Sequence, residues 1–115
     1  MLKRTKTDFA DFKSYFREYQ KKFGLTGYRV YFKHKRLDGC YANIFVRQGD
    51  MIATVTLNSK LNGQDSRNLK SHAQHEALHL LIARLGDMAH YRYVTKEQLD
   101  EAEEELVNKL VRLIN

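Results

Sequence analysis

Residues 71–85 read SHAQHEALHLLIARL and contain His-Glu-Ala-Leu-His. Two imidazoles four positions apart, with a carboxylate directly after the first, could hold a metal ion and handle a water beside it. On a helix, residues four apart lie about 40° apart around the axis and one turn along. His75 and His79 then share a face and can reach one ion. Glu76 points about 100° away from His75, too far round to be a ligand to that ion. It can hold a water there instead. This is the H-E-x-x-H arrangement, with two ligands and a general base.

Two satisfied histidines on an ordinary buried helix would give the same letters, so the context decides. The stretch NLKSHAQHEALHLLIARLGDM has no proline and is rich in Leu and Ala. Leu78, Leu81, Ile82 and Leu85 are expected to form a core-facing stripe beside the histidines. Gly86-Asp87 is expected to end the helix. His72, His34 and His90 are read as surface or structural histidines.

A catalytic zinc site usually has three protein ligands and one open position. The third ligand must come from elsewhere, and the last helical segment, KEQLDEAEEELVNKLVRLI, is the donor. Leu99, Leu106, Leu110 and Leu113 define its expected buried stripe, with Val107 and Ile114 beside it. Glu103 falls within that stripe, where an unpaired buried carboxylate is costly. A metal ion would compensate it, so Glu103 is the expected third ligand. Glu104, on the flank, is the second choice, and Glu101 and Glu105 face solvent.

The remaining elements must position these groups. TDFADFKSYFREYQKKF places Phe9, Phe12, Phe16, Tyr19 and Phe23 at a three-to-four repeat, which predicts an N-terminal helix. Thr7 or Asp8 caps it and Gly24 stops it. YRVYFKHKRL and CYANIFVR read as strands joined by a hairpin at Asp38-Gly39. QGD turns the chain into a third strand, MIATVTLN. Ile52, Thr54, Thr56 and Asn58 share one face of it, and Ala53, Val55 and Leu57 the other. SKLNGQDSRN is a loop. Thr95 opens the last helix with a capping box, Thr-Lys-Glu-Gln. The expected class is α+β: an N-terminal helix, a three-stranded mainly antiparallel sheet, the histidine-bearing helix and a final helix carrying a glutamate ligand. The third strand is the expected edge for an extended peptide, bound by strand addition.

At 115 residues the chain, 1–115, is expected to form one domain. Hydrophobic content of 43% with 30% charged residues reads as soluble and globular. No continuous apolar run suggests a signal peptide or a membrane span. Cys40 is the only cysteine, which fits a reducing cytoplasm. The net charge is +6. Basic residues crowd positions 3–36, while acids gather in EQLDEAEEEL. A basic half suits either a solvated face or a nucleic-acid surface.

The pattern HEALH, a strand meander before it and EAEEELVNKL after it resemble the short phage- and prophage-type minimal zincins. More distantly they are similar to SprT-like and ImmA-type zincin domains. The resemblance covers residues 28–114. It implies a sheet over an active-site helix, zinc on His75 and His79, Glu76 as base and a glutamate of EAEE as third ligand. SprT-type proteins use a histidine there, and the last helix here has none. The expected activity is peptide-bond hydrolysis by a zinc-activated water, on a peptide or protein substrate, in a bacterial or phage-infected cell. Tyr91, Arg92, Tyr93 or His72 could supply an oxyanion donor. A zinc-dependent nucleic-acid hydrolase and a non-catalytic binding module are the competing classes. The oligomeric state is not legible.

Overall fold

The computed structural model describes residues 5–60, 68–89 and 95–114. The chain opens with helix α1 (Lys6–Lys22). Its cap is Thr5, two residues before Thr7 and three before Asp8, the caps the sequence suggested. The Asp8 amide donates to Thr5 Oγ1 and the Thr5 amide to Asp8 Oδ2, both at 3.0 Å. Asp8 thus closes a capping box as its third helical residue, satisfying two end amides. The helix runs out at Phe23, and Gly24 takes φ +72°, a left-handed turn that glycine adopts without strain.

Three strands follow: β1 (Arg29–Lys35), β2 (Ala42–Arg47) and β3 (Ile52–Asn58), with a short 3-10 turn, Gln48–Asp50, before β3. The sheet order is β1-β3-β2. β3 pairs antiparallel with β2 and parallel with β1, so the sheet is mixed. The expected β1–β2 hairpin at Asp38-Gly39 does not form, because β3 inserts between the two strands. Residues 36–41 therefore step across a whole strand instead of making a tight turn. Buried Asn58 anchors that crossing. Its amide donates to the carbonyls of Leu37 (2.9 Å) and Cys40 (2.8 Å), and its Oδ1 accepts from the Leu37 amide (3.1 Å). One side chain thus replaces the ladder bonds that a hairpin would have supplied. The edge strands are accordingly β1 and β2, and β3 is central, contrary to its expected place at the edge.

One expected face of β3 is buried throughout, with Ala53, Val55 and Leu57 fully covered, while on the other face Thr56 and Asn58 are buried as well. Ala53, Val55 and Leu57 meet Phe12, Phe16 and Tyr19 of α1 and Leu69, Ala73, Ala77 and Leu80 of helix α2 (Leu69–Ala89) in one core. Truncating Phe12 or Phe16 to Ala would cost about 3–5 kcal/mol at such fully buried sites. The core face of α2 differs in detail from the expected stripe. Leu80 is buried and Leu81 is 41% exposed, while Leu78 is buried as expected. The helix also continues through Gly86 to Ala89 instead of stopping there.

Helix α3 (Lys96–Ile114) packs on α2. Its expected capping box is present: the Gln98 amide donates to Thr95 Oγ1 (3.2 Å) and the Thr95 amide to Gln98 Oε1 (3.3 Å). Val107 is fully buried whereas Leu106 is 41% exposed. The inward line is therefore Leu99, Glu103, Val107 and Leu110, turned one residue from the leucine stripe at its C-terminal half. The side chains of Leu85, Leu113 and Ile114 lie outside the described residues. Among the described residues, no helix is long and apolar enough to cross a membrane.

Candidate metal centre

α2 delivers His75 and His79 to one point, as four-residue helical spacing requires. Their Nε2 atoms stand 3.2 Å apart. α3 brings two adjacent carboxylates to them, and the two do different things. Glu104 faces both Nε2 atoms, with Oε1 3.1 Å from His75 and Oε2 3.0 Å from His79. Glu103 lies on the other side of the His79 ring, where Nδ1 donates to its Oε1 at 2.9 Å. The residue expected as third ligand thus holds the back of a histidine, and the second choice stands at the point where an ion would sit.

Ring chemistry explains why this arrangement calls for a cation. A carboxylate only accepts, so the bond to Glu103 places the His79 proton on Nδ1. In neutral His79, Nε2 is then a bare acceptor facing the acceptor oxygen of Glu104. Burial, and then neighbouring His79, pull the His75 imidazole below its ordinary pKa, with Glu104 opposing. The neutral form, the one that binds metal, is favoured there. Acceptors so close repel unless a positive charge lies among them.

Zinc ligands at 2.0–2.2 Å in a tetrahedron stand about 3.4 Å from one another. The two Nε2 atoms stand 3.2 Å apart and each lies 3.0–3.1 Å from its own oxygen of Glu104, distances just under that spacing. Among the described residues, His75, His79 and Glu104 form the group able to hold an ion, with one donor atom of each within 4.8 Å of the others. Two nitrogens and one carboxylate suit zinc by donor type, and a carboxylate on the second nitrogen of a ligating histidine is the usual outer support. The residues fit the ion.

Glu76, 6% exposed, lies on the same helix beside this group. Burial raises its carboxyl to about 7, with nearby His79 pulling down and Glu104 pushing up. A carboxylate poised near neutrality can both take and return a proton. The groups open into a cleft of about 570 Å³, whose opposite wall is β2 from Ala42 to Val46. β2 pairs only with β3 among the described residues, so its other edge faces the cleft.

Gly86 has a role no sequence pattern suggested. A Cβ there would lie 3.2 Å from Glu103 Oε2, so glycine lets α3 bring that carboxylate close to α2. His72 stacks on Tyr41 with centroids 4.8 Å apart, in a smaller cavity beside the site that Cys40 also lines. Burial, then Glu76 and Asp38, push the Cys40 thiol up, which keeps it protonated. His34 stacks on Phe9 at 4.8 Å, away from the centre. His90, Tyr91, Arg92 and Tyr93 lie outside the described residues. So does most of the loop expected before α2.

The sequence matches no protein-family model and no curated protein. Among solved structures, the chain is similar to the metallopeptidase zymogen jannalysin of Methanocaldococcus jannaschii. Sequence identity is 19%, the match covers 86% of this chain and 96% of that one, and the TM-score is 0.45. At this similarity the neighbour's chemistry does not transfer to this chain.

Proposed function

We propose that this chain is a minimal zincin-like metallopeptidase domain that binds one zinc through His75, His79 and Glu104. The observation that carries the reading is the Glu104 carboxylate set against both histidines, its Oε1 3.1 Å from His75 Nε2 and its Oε2 3.0 Å from His79 Nε2, with the two nitrogens 3.2 Å apart and Glu76 buried beside them. Bound zinc would supply Lewis acidity and bring the pKa of a water toward neutrality. Glu76 takes the proton of the attacking water and returns it to the leaving amine. Glu103 fixes the tautomer and orientation of His79 by accepting from Nδ1. An extended peptide adds to the open edge of β2, which sets its backbone across the cleft from Glu76. Cys40, the single cysteine, is compatible with a reducing cytoplasm.

The test joins metal content to turnover. Protein purified without added metal is expected to carry about one zinc per chain, as a three-ligand site should. It should cleave members of a peptide library, lose that activity to a chelator and regain it with zinc. A chain that cannot be loaded with zinc overturns the metal site. A chain that loads zinc yet cleaves no peptide overturns the peptidase reading in favour of a binding module.

A further inference from the structure

The face of the sheet turned away from the helices carries its own pattern. Register places its outward residues in cross-strand rows. Tyr31, Thr54 and Phe45 form the central row. Arg29, Ile52 and Arg47 form the row on one side, and on the other exposed Lys33 and Asn43 flank buried Thr56. Lys35 extends the basic strip beside Asn58. Tyr31 is 49% and Phe45 68% exposed, and Arg29, Lys33, Lys35 and Arg47 are exposed as well. Asp50 lies 3.6 Å from Arg47 at one end of this surface.

We propose that this outer sheet face, with Tyr31 and Phe45 between two rows of cations, binds single-stranded nucleic acid. Two aromatic rings on the two edge strands, either side of β3, lie about 10 Å apart, two interstrand steps. Each presents a flat surface on which an unpaired base can stack, and stacking of this kind tolerates any sequence. The flanking Arg29, Lys33, Lys35 and Arg47 neutralise phosphates along the strand. The pattern discriminates among polyanions. An acidic peptide would use the cations but leave the rings in water. A membrane surface favours aromatics at protruding loops, and these sit mid-strand on a level face. A second copy of the same face would set four cations against four. None of these residues belongs to the metal's donor set, but Asn43 and Phe45 also border the cleft beside it, so Tyr31 on the opposite edge strand is the residue that tests this face independently of the peptidase reading.

The test is fluorescence anisotropy with a labelled short oligothymidylate, a duplex of the same length as comparison and chelator present throughout. The strand should bind more tightly than the duplex, with affinity falling as salt rises. Tyr31→Ala and Phe45→Ala should each weaken strand binding about tenfold, and Tyr31→Phe should restore it. Lys33→Gln should flatten the salt dependence. Both rings are exposed, so circular dichroism should confirm unchanged folding in each variant. Equal binding of duplex and strand with no effect of either Ala variant overturns the proposal. So does displacement of the strand by polyglutamate at equal charge, or no binding at low salt.

Discussion

α2 and α3 meet at one site but contribute to it in different ways. α2 carries His75, Glu76 and His79 within five residues, and helical geometry alone settles their relation. α3 offers a run of acids, Glu101 and Glu103 to Glu105, whose parts are settled only by how the helix is rolled against its neighbour. A motif within one helix is fixed by the geometry of that helix, whereas a ligand from a second helix is chosen by packing. Glu103 and Glu104 are adjacent in sequence, yet they reach opposite nitrogens of the same imidazole.

The largest expected effect falls on α2. Glu76→Gln should leave zinc bound while peptide hydrolysis drops about 10²–10⁴-fold, the usual contribution of a general base. Loss of zinc by this variant, at the level of His79→Ala, would move Glu76 into the ligand set.

The next experiment breaks the α3 side apart. Chelator competition should rank the alanine variants. Glu104→Ala should weaken zinc more than Glu103→Ala, and Glu103→Ala should cost about 10–100-fold as an outer-shell partner. Glu101→Ala should change folding stability by no more than about 0.5 kcal/mol and leave zinc untouched. If Glu103→Ala proves the more damaging, the roles of the two acids are exchanged.

A third prediction concerns the metal-free protein. Glu76 holds its proton in the fold up to about 7, against an ordinary 4.5, because it is buried. The folded state therefore binds more protons than the unfolded state across that window. Its contribution to stability is full below 4.5, falls as pH rises toward 7 and is flat above. At 1.36 kcal/mol per pH unit the loss approaches about 3 kcal/mol. His75, pulled down, acts in the opposite sense as pH falls. The slope specific to Glu76 is thus the difference between wild type and Glu76→Gln, measured by urea unfolding in chelator. Parallel pH profiles for the two proteins would count against a buried, proton-holding Glu76.

The smallest effect tests the contact between the helices. Gly86→Ala should gain helix propensity, up to about 1 kcal/mol, while its Cβ displaces Glu103 by a few tenths of an ångström. Unfolding midpoints should hold or rise as zinc affinity falls a few-fold. Unchanged affinity would mean that Glu103 reaches His79 without needing the glycine.

Legibility from sequence followed the range of the interactions. The α1 aromatic stripe, the apolar face of β3 and the Thr95 capping box are local, and all three stand in the structure; the burial of Thr56 and Asn58 on the other face of β3 was not legible. The sheet order was not legible, because Asp38-Gly39 signals a turn but not which strand lies beside the next. Asn58, which decides that question, bonds to residues about twenty positions away. Gly86 read as a stop because a glycine late in a helix usually is one; here it makes room for a neighbour. Glu103 stands on the inward line of α3 as expected, but inwardness alone does not set a carboxylate against both Nε2 atoms; half-exposed Glu104, the second choice, stands there instead.

The threading of β3 between β1 and β2 also bears on how the chain finds its fold. β2 and β3 are joined by a four-residue turn, so their pairing closes a short loop. β1 must wait for β3, and its docking encloses all of residues 36–51, a slower search with a larger entropic cost. The early kernel is then the β2–β3 ribbon with whatever helix covers it, and α1 and β1 arrive as a later pair. The wall of the cleft thus belongs to the part of the molecule that assembles first.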